Sequence, residues 1–168
     1  MFVIARTITY ATLFIGFVLI YLPARLLAWS GIARPAVYAW PQIAGIAVGA
    51  GGALVALSCV CAFAWMGKGT PAPFDPPRKL VVRGPYRFLR NPMYVGAALA
   101  VGGAALFFES IQLLGFVALF LLTTHLFVVL YEEPTLKRAF GPEYEAYCQR
   151  ARRWWPGAVT RPSNWLHR

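Results

Sequence analysis

The chain has 168 residues, enough for one domain, and 59% of them are hydrophobic while only 13% are charged. Such a composition excludes an ordinary soluble domain, and four long apolar runs that carry almost no charge predict an all-α, polytopic membrane protein. The net charge of +10 comes from Lys and Arg residues that flank the apolar runs. We therefore attribute the charge to membrane topology and to anionic lipid headgroups, and we predict no nucleic-acid partner.

Two spans are predicted in the N-terminal part of the chain, residues 1–66. The first covers residues 7–28, with a kink predicted at Pro23. The second covers residues 43–66 and contains no charged residue. At about 1.5 Å per residue, the second span is long enough to cross a hydrocarbon core of about 30 Å.

A basic loop, residues 67–91, separates these spans from a helical hairpin, residues 92–131. The loop contains six basic residues and one acid, and its five prolines exclude a long helix. The hairpin contains a third span, 92–108, and a fourth, 111–131, joined by a tight turn at Glu109-Ser110. The tail, residues 132–168, has seven Lys or Arg residues. Because the loop and the tail are both basic, we predict a single domain of four spans with both termini in the cytoplasm.

Small residues recur at helical spacing in two of the spans. The second span carries Gly45, Gly49 and Gly52, and the third carries Gly96 and Gly103. Such rows let helix backbones approach closely, and a packed four-helix bundle is sufficient to explain them.

The tail is predicted to break into pieces. Pro134 interrupts or kinks the helix that leaves the membrane. Gly141-Pro142 restarts a helix over residues 143–153, on which Tyr144 and Tyr147 share a face. Trp154-Trp155 follows and is predicted to lie at the lipid interface.

The start of the third span is a candidate anion site. Asn91 is a preferred N-cap residue and Pro92 is favoured at the next position, so beginning the helix is by itself a sufficient role for both. A helix N-terminus also attracts anions, and Arg87 and Arg90 add full positive charges. Together these residues could hold a carboxylate or a phosphate.

The acid pair Glu132-Glu133 ends the fourth span. A carboxylate at a helix C-terminus is unfavourable, so we predict a compensating partner, either an arginine of the loop or a cationic ligand. His125 lies seven residues earlier on nearly the same face. An ionisable residue within a span is a functional candidate, although a neutral His125 that is hydrogen-bonded to another helix is the favoured interpretation.

These motifs, taken in order, resemble the isoprenylcysteine carboxyl methyltransferase family, and the related phospholipid N-methyltransferases share much of the pattern. The resemblance covers residues 67–156. It is carried by Gly84-Pro85-Tyr86-Arg87, Arg90-Asn91-Pro92-Met93-Tyr94-Val95-Gly96, Glu132-Glu133, Leu136, Phe140-Gly141, Tyr144 and Tyr147.

The resemblance implies an integral membrane enzyme that uses S-adenosylmethionine, with its active site facing the cytoplasm and, we expect, in a bacterial inner membrane. It also implies the pocket. Arg90, Asn91, Pro92, Tyr94 and Gly96 line one side, Glu132 and Glu133 line the other, and Tyr144 and Tyr147 close over the adenosine. The family usually has His where this chain has Asn91, so a role that requires an imidazolium is absent here.

The implied reaction is methyl transfer to a lipophilic substrate that enters from the bilayer. A carboxylate nucleophile needs no base, whereas an amine or a thiol does, and Glu132, Glu133 and His125 are the candidate catalytic residues. Two alternatives stay open. One is a membrane reductase that uses NADPH, and the other is a non-catalytic lipid-binding protein. The three cysteines fit neither a disulfide framework nor a metal site.

Overall fold

The computed structural model describes residues 15–62 and 80–156, and these residues form helices and connecting segments without a β-strand. The predicted all-α class is confirmed. Parts of the predicted organisation lie outside the described residues, namely the ends of the first two spans at 7–14 and 63–66, the proline-rich part of the loop at 67–79, and the tail beyond residue 156. The division into one domain stays a prediction.

Two helices precede the loop. The first is π-helical over Ile15–Tyr21 and α-helical over Leu22–Trp29, and we call the two parts together α1. Helix α2, Trp40–Ala62, begins three residues earlier than predicted. Pro41 fits the first turn of α2, and the side chain of Gln42 accepts a hydrogen bond from the N–H of Ala39 at 3.0 Å, which stabilises the early start.

The hairpin follows the prediction closely at its turn. After a 3₁₀ turn, Gly84–Arg87, helix α3 runs over Pro92–Phe107 and α4 begins with Ile111–Phe127. The hydroxyl oxygen of Ser110 caps α4 by accepting a hydrogen bond from the N–H of Leu113 at 3.3 Å.

Glycine rows join α2 to α3, which make the most extensive contact between helices in the described part of the chain. A Cβ atom on Gly45 would lie 2.6 Å from the carbonyl oxygen of Gly103, and one on Gly96 would lie 2.7 Å from the backbone nitrogen of Ala56. The backbones are therefore too close for any side chain. The small-residue rows predicted a close approach of helix backbones, and the structure shows that α2 and α3 are the two helices concerned. Helix α3 also contacts α4, and α1 packs on α4.

Pro134 was predicted to interrupt or kink the fourth helix, and of these two outcomes the interruption is wrong. A π-helical turn, Val128–Glu132, follows the first part of α4, and α5, Glu133–Phe140, continues from it, so that one helix runs over Ile111–Phe140. The prolyl ring would clash with the carbonyl of residue 130, and a wider turn just before Pro134 relieves that clash. Pro23 in α1 likewise follows a π-helical segment.

The tail restarts where predicted but ends early. Helix α6 runs over Pro142–Arg150 rather than to residue 153, because Ala151 leaves the helical conformation. Ala151 is extended, and Arg152 lies beside the start of α3, where it forms a β-bridge with Leu89.

Two helices, Trp40–Ala62 and Ile111–Phe140, are long and apolar enough to cross a membrane. Gly16–Trp29 and Pro92–Phe107 are apolar but shorter, and the 16 residues of the latter extend only about 24 Å. The structure therefore supports an integral membrane protein.

Candidate active site

The segment 151–155, which we call the C-terminal strap, lies across the start of α3. The backbone N–H of Arg90 donates to the carbonyl of Arg152 at 2.9 Å. The side-chain amide of Asn91 donates to the carbonyl of Arg153 at 3.2 Å. Asn91 occupies the N-cap position of α3, but its side chain makes no capping hydrogen bond, contrary to the prediction. The Asn91 side chain holds the C-terminal strap through its hydrogen bond to Arg153 instead.

Glu133 binds two arginines from different parts of the chain. The guanidinium of Arg153 holds both carboxylate oxygens, at 2.7 and 2.8 Å, and Nη1 of Arg90 lies 3.1 Å from one of them. We call Arg90, Glu133 and Arg153 the ion-pair cluster. The side chains of Arg90 and Glu133 are only 15% and 19% exposed, so this cluster is largely shielded from solvent. The predicted compensating partner of Glu133 is thus an arginine of the loop together with an arginine of the tail.

Glu132 has a different environment. The hydroxyl of Tyr94, from the first turn of α3, donates to Oε2 of Glu132 at 3.3 Å. The two acids therefore point to different partners, one to a neutral phenol and the other to two cations. The contacts with Tyr94 and Arg90 join the acid pair to the start of α3, as the sequence predicted. The acids do not end the helix, contrary to the prediction, because the helix continues to Phe140.

Arg90 retains hydrogen-bonding capacity. Its Nη1 contacts Sγ of Cys148 at 2.8 Å in addition to Glu133. Its Nε is buried and has no hydrogen-bond partner within the described residues. A buried donor without an acceptor is unfavourable, so this atom is suited to a ligand that brings an acceptor.

Tyr144 and Tyr147 form the buried face of α6. The hydroxyl of Tyr147 donates to the carbonyl of Tyr86 at 2.6 Å and lies 3.3 Å from that of Leu89, so α6 is tied to the 3₁₀ turn before α3. Burial raises the pKa of Tyr147 and of Tyr144, and both phenols therefore stay protonated donors at neutral pH.

His125 is tied to the strap. The indole N–H of Trp154 donates to Nδ1 of His125 at 3.1 Å, and the two ring centroids lie 5.9 Å apart. Trp154 was predicted at the lipid interface together with Trp155. The structure gives Trp154 a partner in α4, whereas Trp155 is exposed.

Three of the predicted cofactor-binding residues have other surroundings. Arg87 is exposed, and its guanidinium lies 4.9 Å from the ring centroid of Phe88. Gly96 faces α2, where its missing side chain permits close packing. Pro92 is buried as the first residue of α3.

Sequence reasoning missed Arg153, Cys148 and Tyr86. Tyr86 was quoted only as part of a motif, and its backbone carbonyl proves to receive the hydroxyl of Tyr147. The unbalanced acid pair was a signal that an arginine should be found, but several arginines were available. The spacing of these arginines along the chain did not indicate that Arg153 binds Glu133.

The segment that contains this site also matches a known family. A family model described as phospholipid methyltransferase matches residues 40–143, more than half of the chain. The chain belongs to the phospholipid methyltransferase family. This family of integral membrane methyltransferases includes the isoprenylcysteine carboxyl methyltransferases, so the resemblance inferred from the sequence is confirmed. A comparison with the curated proteins found no match, and neither did a comparison with the solved structures.

The match to the phospholipid methyltransferase family includes α2, α3, α4 and the acid pair. It ends within the first turn of α6, before Tyr144, Tyr147 and the C-terminal strap. The ion-pair cluster therefore combines family segments with a tail segment that the family model does not cover.

Proposed function

We propose that this protein is a membrane methyltransferase that uses S-adenosylmethionine and acts on a lipophilic substrate. The observation that carries the proposal is that the acid pair and the start of α3 lie together, joined by Tyr94 and Arg90. A zwitterionic donor with an additional positive sulfur needs both an anion site and a carboxylate. This cluster offers both within hydrogen-bonding distance of one another.

The described residues fit the donor. Arg90 presents a buried Nε without an acceptor, which suits a ligand carboxylate. The first turn of α3 adds N–H groups that have no intrahelical acceptor. On the opposite side, the hydrogen-bond partner of Glu132 among the described residues is the phenol of Tyr94, and the carboxylate can accept further hydrogen bonds from an ammonium group.

Asn91, Tyr144 and Tyr147 complete the proposed donor site. Asn91 holds the strap, and the two tyrosines close the side formed by α6. Pro92, Gly96 and Arg87 support the site indirectly in this proposal. Pro92 begins the helix, Gly96 seats it against α2, and Arg87 adds positive charge near the membrane surface.

The donor, when bound, supplies an electrophilic methyl group on a positively charged sulfur. The residues of this chain orient the two reactants and exclude water, and for in-line transfer positioning is the main requirement. A carboxylate nucleophile would need nothing more. For an amine or a thiol, Oε1 of Glu132 would take the proton, because the oxygens of Glu133 are occupied by two arginines and Nδ1 of His125 is occupied by Trp154.

We further propose four spans with both termini in the cytoplasm of a bacterial cell and the site facing the cytoplasmic side of the inner membrane. Two long apolar helices, two shorter ones and the basic residues around the acid pair support this arrangement. The substrate would enter between helices from the bilayer, while anionic headgroups surround the basic residues.

Thermal unfolding of the detergent-purified protein tests the proposal. S-adenosylhomocysteine should raise the melting temperature, because a ligand that binds only the folded state stabilises it. NADPH should leave it unchanged. Stabilisation by NADPH instead would favour the reductase, and stabilisation by neither would favour a non-catalytic protein.

A variant of Glu132 tests whether the change in melting temperature comes from binding at the proposed site. Glu132→Gln keeps the size of the side chain but removes its charge, so it should weaken the stabilisation by S-adenosylhomocysteine. Incubation of membranes with a methyl-labelled donor would then show which extracted species becomes labelled. That result would decide between a carboxylate, an amine and a thiol.

A further inference from the structure

The C-terminal strap is attached to the long helix at two points. Arg153 binds Glu133 through two hydrogen bonds, and the next residue, Trp154, binds His125 through one. These neighbouring strap residues thus reach two side chains that are eight positions apart on the helix. On its other side, the strap is held by the start of α3.

The π-helical turn explains how both attachments are possible. In a regular α-helix, residues eight apart are separated by about 80° around the axis, so His125 and Glu133 would face different directions. A single π-helical turn adds one residue without advancing the helix. With Val128–Glu132 in that conformation, the separation falls to about 20° and the two side chains share a face.

The same turn determines which acid is available to the strap. Without it, His125 would align with Glu132, as the sequence alone indicated. With it, Glu133 faces the strap and Glu132 turns toward Tyr94. The wide turn before Pro134 therefore assigns the two neighbouring acids to different partners.

We propose that His125 and Trp154 are positioning residues that hold the strap closed and thereby set the affinity for the methyl donor. The inference rests on the proposed function. The hydrogen bond between Trp154 and His125 keeps Arg153 on Glu133, and Glu133 in turn holds the guanidinium of Arg90. Neither His125 nor Trp154 needs to touch the donor, because both act through Arg153.

Three variants of the full-length protein separate this role from general packing. His125→Leu removes the acceptor, and Trp154→Phe removes the donor while keeping an aromatic ring. His125→Asn is the matched control, because an Asn side chain places an amide oxygen close to the position of Nδ1. The control should therefore restore what His125→Leu loses.

The first measurement needs no ligand. Hydrogen exchange of the Arg90 amide reports the strap directly, because this N–H is bonded to the carbonyl of Arg152. We expect faster exchange in His125→Leu and in Trp154→Phe, and exchange as in the wild type in His125→Asn.

The second measurement is the dissociation constant for S-adenosylmethionine by calorimetry. Loss of one neutral hydrogen bond should weaken binding about five-fold in His125→Leu and Trp154→Phe. His125→Asn should bind within about two-fold of the wild type. Together, faster exchange, weaker binding and rescue by Asn support the positioning role.

The outcomes that contradict the inference are distinct. Faster exchange with unchanged donor affinity would mean that the bond is merely structural and would overturn the positioning role, as would failure of His125→Asn to rescue. Absence of donor binding by the wild-type protein would instead overturn the proposed function. Faster exchange in that same sample would still support the attachment of the strap.

Discussion

The glycine-lined face and the start of α3 are held by different kinds of contact. Along its length, glycines bring its backbone directly against that of α2, and no polar side chain takes part in the glycine contacts. At its start, the helix is held by ion pairs and hydrogen bonds to the tail and to the acid pair Glu132-Glu133. The glycine contacts depend on shape, supplemented at the far end of α3 by a hydrogen bond from the Gln42 side chain to the carbonyl of Phe107. The contacts at the start of α3 depend on charge and direction.

The glycine contacts position α3, whereas the polar contacts at its start can adapt to a ligand. Backbone-to-backbone packing tolerates almost no added volume, so it fixes α3 relative to α2. Hydrogen bonds and ion pairs at a partly exposed edge can be broken and re-formed when a ligand arrives. The glycine interface therefore fixes the position of α3, whereas the hydrogen bonds and ion pairs at the start of α3 can rearrange when a ligand binds.

The largest effect is expected from Gly103→Leu. A Cβ at Gly103 would overlap the backbone of Gly45 and Gly49, so the two helices would have to separate. We expect a loss of about 3 kcal/mol of stability or failure to fold, measured by thermal unfolding in detergent.

The matched control for this change is Gly102→Leu. A Cβ at Gly102 meets nothing within 4 Å, so this variant should melt as the wild type does. Equal destabilisation by the two changes would show that the close approach of α2 and α3 does not position the helix.

Glu133→Gln should have the next largest effect. It leaves Arg90 and Arg153 without their shared carboxylate while both guanidinium groups remain partly buried. We expect a loss of about 2 kcal/mol and a clearly weaker affinity for S-adenosylmethionine, measured by thermal unfolding and calorimetry.

Glu145→Gln is the control for the loss of charge. Its partner, Lys137, lies 2.9 Å away, but both side chains are more than half exposed. Removing this pair should leave the melting temperature and the donor affinity unchanged. An unaltered donor affinity in Glu133→Gln would argue strongly against the proposed site.

The smallest effect is expected from Tyr147→Phe. The change removes a hydroxyl that donates to the carbonyl of Tyr86, so the predicted loss is about 1 kcal/mol, measured by thermal unfolding. Tyr131→Phe is the control, because Tyr131 lies on the exposed side of the helix. A loss of stability as large as that in Glu133→Gln would mean that α6, rather than the ion-pair cluster, holds the C-terminal strap in place.

Much of the fold could be predicted from local patterns. Apolar runs and helix-start signals located α3 and the hairpin turn, and the small residues indicated that helix backbones approach closely, although not which two helices do so. Helix ends were less accurate where tertiary contacts extend or shorten them. Helix α2 begins early beside the side chain of Gln42, and α6 ends at Arg150 because the following residues pair with the start of α3.

The location of the candidate site could be predicted from the sequence, but the pairs of residues that bind each other within it could not. The sequence placed the acid pair near the start of α3 and required a positive partner for it. It could not select Arg153, which lies 20 residues from Glu133 along the chain. It also could not show that Trp154 binds His125, because that contact depends on how the strap lies against α4.

The sequence by itself determined an apolar, helical protein with one glycine-lined interface and one polar end. These properties follow from composition and from the helical repeat, which are local. Only the tertiary structure decided which acid binds the arginines, because a π-helical turn rotates Glu133 toward the strap and Glu132 toward Tyr94. A rotation of this kind depends on Pro134 and on the packing of distant segments together, and no single stretch of sequence encodes both.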